Sequence, residues 1–290
     1  MPPDGRPGSS KKPKTGLSQN RIFTVASPPG IPGMAMKVQY FGDVNDFRKY
    51  ALLRTLSEVG RFRVGVCWML TVADGSGHGD NRGYLRQVDQ WRRYDPALFD
   101  ALASAPPKPT IDDLRRVENE ALIPDATFFN DFTPDGLAER GGYHRACMNA
   151  FKACELTFFD PDNGLEVKST AKGRKRSSKY AYLDEIDDHY AAGRSILLYQ
   201  HFPRASREIF VGAKASRLKS TLAGSTIWSF ETPHVVFLLA AGPNHVGGVE
   251  KAASALGERR CVPGLFSRVQ VVPADDAAHS SLLNEGLGGS

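Results

Sequence analysis

The sequence predicts an α/β protein whose mainly parallel sheet is covered by helices on both faces. Short apolar runs alternate along the chain with segments of helical periodicity, an order typical of parallel sheets. Several of these runs are continuously apolar, which is typical of strands that are buried on both faces. The composition, with 41% hydrophobic and 24% charged residues, is ordinary for a globular protein.

The first half of the domain is predicted to begin with a helix and a buried strand. Residues 46–59 carry apolar side chains at helical spacing, and Gly60 follows as a helix end. Residues 63–71 form a continuous apolar run, which predicts a strand followed by a glycine-rich loop. The next elements are a helical insertion over about 84–121, a strand over 126–131, and a loop and helix over 134–153.

The second half continues the alternation, and residues 156–160 are its first buried strand. A pair of apolar runs around Thr232 and Pro233 predicts two antiparallel strands. The remaining predicted elements are helices over 182–192, 206–222 and 246–256, and strands over 195–200, 226–231, 234–240 and 269–272. Residues 36–273 are expected to form a single domain, with polar, disordered tails over 1–35 and 274–290.

Composition argues against several classes of protein. No run of about 18 apolar residues occurs, so no membrane-spanning helix is expected. The four cysteines form no CxxC pair, which argues against a zinc site or a disulfide framework and for a reducing, cytoplasmic environment. The net charge of +5 is a mild bias and does not by itself require a nucleic-acid partner.

Polar residues follow four of the predicted strands. In an open parallel sheet, ligands bind outside the carboxyl ends of the strands, so these residues are expected to meet at one edge. They are Asp74, Gly75, Gly77 and Gly79 after the first strand, Asp131 after the second, Asp160, Asp162 and Asn163 after the third, and His201 and Arg204 after the fourth.

The strongest of these signals is the segment Asp160-Pro161-Asp162-Asn163. Two carboxylates and an amide at a strand end can bind a metal, orient an amine or take a proton. A Pro-Asp-Asn-Gly turn without further function is the alternative, because these residues suit a turn. The preceding apolar run fixes the segment at the sheet edge and favours the functional interpretation.

The other loops each allow two interpretations. The glycine loop lets a nucleotide-like ligand approach the backbone closely, or is a flexible surface loop. Asp131 accepts a hydrogen bond from an amino group or a ribose hydroxyl, or caps a turn before Pro134. His201 is an acid/base or phosphate-contacting candidate with Arg204 beside it, or a structural histidine.

A cationic segment follows the acidic loop. Residues 168–179 contain six cations and no acid, among them Lys168, Arg174, Lys175 and Lys179. Such a run predicts contact with phosphate groups of RNA, DNA or a nucleotide, and a solvated surface loop is the alternative.

The order of these elements resembles that of the J-type adenine-N6 methyltransferases of large-subunit ribosomal RNA. Residues 42–50, GDVNDFRKY, resemble that family's GNxADVLKH helix, and Asp160-Pro161-Asp162-Asn163 stands where the family has DPPY. The three-Cys-motif partner proteins share the same helix, strand and glycine-loop start. The resemblance covers about residues 37–260 and is one of pattern more than of identities.

This resemblance implies a Rossmann-like methyltransferase fold and S-adenosylmethionine as cofactor. Lys49, Tyr50, Asp131 and the glycine loop around Gly75 would line the cofactor site. Asp160 would hold the target amine while its lone pair attacks the methyl group, a step that depends on positioning. Asp162 and Asn163 replace the family's second proline and the aromatic residue that stacks on a flipped base.

Two other functions stay open. Asp160, Asp162, Glu166 and Lys168 resemble the PD…ExK set of nucleases, in which carboxylates and a lysine bind Mg²⁺ and activate water. Only three residues separate Asp162 from Glu166, whereas the usual arrangement places these groups on neighbouring strands. The third possibility is a nucleotide-binding protein that has kept the fold without the chemistry.

Overall fold

Seven strands form one mixed sheet in the computed structural model, which describes residues 41–72, 81–106, 110–258 and 265–273. The strand order is β2-β1-β3-β6-β8-β7-β9, and β4 and β5 pair separately as a two-stranded parallel ribbon. The strands are β1 (Val64–Cys67), β2 (Thr127–Phe129), β3 (Leu156–Phe159), β4 (Gly164–Leu165), β5 (Tyr180–Ala181), β6 (Ser195–His201), β7 (Thr226–Glu231), β8 (Val235–Ala241) and β9 (Arg268–Val271).

Helices connect these strands and cover the sheet. They are α1 (Val44–Glu58), α2 (Val88–Trp91), α3 (Pro96–Ala103), α4 (Ile111–Asn119), α5 (Leu137–Ala150), α6 (Leu183–Ala191), α7 (Arg207–Thr221) and α8 (Val246–Glu258). None of the helices in the described residues is long and apolar enough to cross a membrane.

The pairing confirms an α/β protein with a partly parallel sheet. Strands β2, β1, β3 and β6 are parallel to one another. Strand β8 then runs antiparallel to both β6 and β7, and β9 is antiparallel to β7. The predicted antiparallel pair over 226–231 and 234–240 is therefore confirmed.

The sheet is buried on both faces because alternate side chains of each strand enter different cores. On β6, Leu197 and Tyr199 pack with α1, α3 and α8, while Ile196 and Leu198 pack with α5, α6 and α7. This two-sided burial explains the continuous apolar runs in the sequence.

Two predicted boundaries differ from the structure. Helix α1 begins two residues before the predicted Asp46, because Asp43 accepts hydrogen bonds from the backbone N–H groups of Asn45 and Asp46 as an N-cap. Strand β1 ends at Cys67 rather than at residue 71, since Met69 adopts a left-handed backbone (φ 48°) that a strand cannot continue through. The predicted insertion region 84–121 contains α2, α3 and α4.

Candidate active site

The strand order reverses between β1 and β3, and this point defines the candidate site. From β1 the chain crosses to β2 on one side, whereas β3 lies on the other side and leads to β6. In open α/β sheets, ligands bind at such a point, in the crevice outside the carboxyl ends of the strands. Trp68 follows β1 at this edge and Asp160 follows β3.

The N-terminal turn of α1 brings further acidic groups to the crevice. Asp43 caps the helix, and Asp46 accepts a hydrogen bond from the backbone N–H of Gly42 at 2.9 Å. The Tyr84 hydroxyl donates to the Gly42 carbonyl oxygen at 3.1 Å and so holds the segment that leads into α1. Both aspartates are buried, so the turn presents carboxylates that water screens only weakly.

Lys49 links this turn to the acidic loop. Its Nζ donates to Asp46 Oδ1 at 2.9 Å and to Asp160 Oδ2 at 2.7 Å. The same ammonium lies 5.1 to 5.9 Å from the centres of three aromatic rings, which contribute cation–π attraction; they belong to Tyr50, Trp68 and Tyr199. The structure thus brings Lys49, Tyr50 and Asp160 into one cluster, and their roles toward a cofactor or an amine stay a prediction.

Burial dominates the electrostatics of this cluster. Burial raises the pKa of Asp160 to about 6, although the neighbouring Lys49 opposes the shift. Burial and the charge of Asp46 raise the pKa of Asp43 to about 7. Burial alone would lower the pKa of Lys49, but the carboxylates of Asp160 and Asp46 raise it well above its ordinary value. Lys49 is therefore a fixed cation at neutral pH and no nucleophile.

The rest of the acidic loop is held by neighbours on several sides. Asp162 Oδ2 accepts a hydrogen bond from the Thr71 hydroxyl at 2.9 Å and lies 3.9 Å from Lys179 Nζ. The backbone N–H of Asn163 donates to the Lys179 carbonyl oxygen at 2.9 Å. The predicted residues Asp162 and Asn163 thus belong to the same short loop as Asp160, while the Asn163 side chain is exposed.

The cationic segment 168–179 is anchored next to this loop. Asp135 accepts hydrogen bonds from the backbone N–H groups of Arg176 and Ser178, at 2.9 and 2.7 Å. Arg174 and Lys175 are exposed to solvent. The segment is thus a turn held by Asp135 that presents these two cations to solvent, and contact with phosphate groups stays a prediction.

Three further predicted residues follow β2 and β6, the outer two of the four parallel strands, at the same edge of the sheet. Asp131 follows β2 and is half-buried, and its carboxylate makes no hydrogen bond or ion pair within the described residues; burial raises its pKa. His201 is the last residue of β6, and its exposed ring stands edge-on to Tyr199 with centroids 5.0 Å apart. Arg204 is exposed in the loop that follows.

Glu166, part of the alternative nuclease cluster, is engaged elsewhere. Its Oε1 lies 3.0 Å from Arg217 on α7, and its Oε2 accepts from the backbone N–H of Leu183 at the start of α6. These contacts direct the carboxylate toward helices α6 and α7. No group of three or more His, Cys, Asp or Glu side chains in the described ranges is arranged to hold a metal ion.

Sequence reasoning missed several residues of the site. Asp43 and Asp46 were missed, although they precede the predicted Lys49 at intervals of three, and this spacing on one helix face was a usable signal. Trp68 and Tyr199 offered no such signal, because aromatic residues in apolar runs are typical of the core. Thr71 offered none either, since a single threonine at the end of an apolar run is common. The glycine-loop candidates Asp74, Gly75, Gly77 and Gly79 lie outside the described residues.

Comparison of the chain with known protein families, with curated proteins and with solved structures finds no match. The geometry of the site therefore carries the functional argument alone.

Proposed function

We propose that the protein is an S-adenosylmethionine-dependent methyltransferase with a Rossmann-like fold, acting on an amine of a nucleic acid or nucleotide. One observation carries this proposal. Asp160 stands at the strand-order reversal with Oδ2 bound to Lys49, while Oδ1 receives no hydrogen bond from the described residues. A carboxylate oriented in this way has one oxygen left to accept an N–H of a substrate amine.

The residues around Asp160 suit a cationic cofactor. S-adenosylmethionine carries an ammonium and a sulfonium group, and the crevice offers buried carboxylates and aromatic faces for positive charge. The Tyr50 hydroxyl is fully buried and has no hydrogen-bond partner among the described residues. The Asp131 carboxylate, unpaired in the part of the chain that the structure describes, would accept from a ribose hydroxyl or an adenine amino group. This donor and acceptor set fits the cofactor.

The bound cofactor would supply an electrophilic methyl group, and the chain's own residues would position the amine and its proton. Asp160 Oδ1 accepts one N–H of the amine and so fixes the direction of the nitrogen lone pair. Lys49 holds the other carboxylate oxygen, and the rings of Trp68 and Tyr199 keep water from that side. After transfer, Asp160 Oδ1 receives the proton that the nitrogen loses.

The cationic segment supports a phosphate-bearing substrate. Arg174 and Lys175 point to solvent on a turn that Asp135 anchors, and Lys179 joins this turn to Asp162. Phosphate contacts of this kind fix the register of a nucleic acid without reading its sequence.

A methyl-transfer assay tests the proposal. The protein is incubated with tritiated S-adenosylmethionine and a panel of unmodified RNA, DNA and nucleotides. We expect Asp160→Asn to lower transfer on the order of 100-fold, because the carboxamide cannot take the proton and presents a donor on one side. Asp89→Asn, an exposed change on α2, serves as the control.

The outcomes separate the candidate functions. Transfer by the wild type that the Asp160 variant loses supports the proposal. Cofactor binding without transfer to any member of the panel indicates a binding protein. Cleavage of RNA or DNA with Mg²⁺, and no methyl transfer, indicates the nuclease.

A further inference from the structure

The acidic loop is fixed by a buried carboxamide that the proposed reaction does not use. Gln200 lies next to the end of β6 and is 4% exposed. Its Oε1 accepts from the backbone N–H of Leu165 at 2.9 Å, and its Nε2 donates to the carbonyl oxygens of Asn163 at 3.2 Å and His201 at 3.0 Å. The side chain thereby holds the main chain on both sides of Gly164.

Gly164 shows how closely this carboxamide approaches the loop. It has a left-handed backbone (φ 87°), and a Cβ at this position would overlap the Gln200 carboxamide. The Asn163 N–H also donates to the carbonyl oxygen of Lys179 just before β5, and Gly164 pairs with Tyr180 of β5. Its conformation is thus determined by contacts outside the loop itself.

The Asn163 side chain is what this arrangement presents to solvent. It is exposed and makes no hydrogen bond with the described residues, although its backbone N–H and carbonyl oxygen are both bonded. Because the loop backbone is fixed and the Asn163 carboxamide makes no hydrogen bond within the described residues, this side chain is available to contact a ligand that reaches the acidic loop.

We infer that Asn163 is a specificity-determining residue, and that Gln200 is the positioning residue that holds it. This inference rests on the proposed function and adds the class of substrate. A carboxamide offers one acceptor and two donors, so it recognises a planar group with both a donor and an acceptor beside the target amine. Asn163 therefore recognises the substrate through hydrogen bonds to the edge of this planar group, and no aromatic ring stacks on the group at this position.

Amide hydrogen exchange tests the role of Gln200 independently of any activity. We expect Gln200→Leu to raise the exchange rate of the Leu165 N–H at least about ten-fold, because its acceptor is lost. Gln270→Leu on the edge strand β9 is the matched control and should leave that rate unchanged. Unaltered exchange at Leu165 in the Gln200 variant overturns the positioning role.

Methyl transfer to the nucleic-acid panel tests Asn163. We expect Asn163→Leu, similar in size but unable to hydrogen-bond, to lower kcat/KM for the accepted substrate on the order of ten-fold or more. Asn163→Tyr should lower it as well, and the exposed Asn149→Leu on α5 is the control. Gln200→Leu should lower kcat/KM while cofactor affinity, measured by calorimetry, stays within about two-fold of the wild type.

Each result decides a different claim. If Asn163→Leu keeps the kcat/KM of the wild type, or if Asn163→Tyr has a higher one, Asn163 does not recognise the substrate by hydrogen bonds and the inference is overturned. Absence of methyl transfer by the wild type overturns the proposed function and the specificity role together. In that case, faster Leu165 exchange in Gln200→Leu still shows that Gln200 fixes the loop.

Discussion

At the residue scale, the site is defined by carboxylates whose charge is costly to bury. Asp160 and Asp43 both have a pKa above the ordinary range of an aspartate, chiefly because burial disfavours the ionised form. Lys49 compensates only part of this cost at Asp160. Titratable groups displaced toward neutral pH are typical of functional sites, and here they cluster at the strand-order reversal.

The first prediction concerns the pH dependence of methyl transfer. In the proposed reaction Asp160 must be ionised to accept the amine N–H, and burial raises its pKa to about 6. We therefore expect kcat/KM to rise with pH through this value and to level off above it, measured with the tritiated cofactor. A profile that is flat between about pH 5 and about pH 8 contradicts the assigned role.

A second prediction concerns stability and Asp43. With a folded pKa of about 7 against 3.8 ordinarily, this carboxyl keeps a proton between about pH 4 and about pH 7 that the unfolded chain has released. The free energy of unfolding therefore falls as pH rises through that window. Asp43→Asn keeps the N-cap acceptor and removes the titration.

Urea unfolding at several pH values measures this effect. Between about pH 5 and about pH 8 we expect the wild type to lose at least about 1 kcal/mol more stability than the Asp43→Asn variant. Parallel pH curves for the two proteins would show that Asp43 does not titrate in this range.

At the scale of elements, Lys49 joins helix α1 to the end of strand β3. Its ammonium bridges Asp46 and Asp160, which are 114 residues apart in the sequence. The Lys49 side chain is only 9% exposed. Removal of the cation leaves two buried carboxylates without their partner, a change that is usually far more costly than loss of a surface ion pair.

The third prediction follows from this bridge. We expect Lys49→Met to lower the free energy of unfolding by about 3 kcal/mol, and the double variant with Asp160→Asn to recover part of that loss. The exposed Lys251→Met on α8 is the control and should change stability by less than about 0.5 kcal/mol. A loss below about 1 kcal/mol in Lys49→Met would mean that the bridge contributes little.

Most elements could be predicted from the sequence, because their periodicity reflects burial on one or two faces. The bounds of β7 are those predicted, and α7 differs from its predicted range by one residue at each end. The early end of β1 could not be foreseen, since a left-handed backbone is uncommon for a residue such as Met69 and the residue type gives no sign of it.

At the scale of the whole molecule, the topology places the site. The predicted residues Asp131, Asp160 and His201 are far apart in sequence but follow neighbouring or near-neighbouring strands of one sheet. The carboxyl-edge rule was enough to predict that they share an edge. That rule could not predict which aromatic rings surround Lys49, because only the three-dimensional packing distinguishes Trp68 and Tyr199 from other buried rings.

The cofactor assignment is the central claim, and calorimetric titration of the protein with S-adenosylmethionine tests it most directly. We expect one site per chain with a Kd below about 1 mM, weakened at least about ten-fold by Asp131→Ala. The exposed Glu250→Ala on α8 should bind as the wild type does. Absence of binding at about 1 mM cofactor would contradict the proposed function.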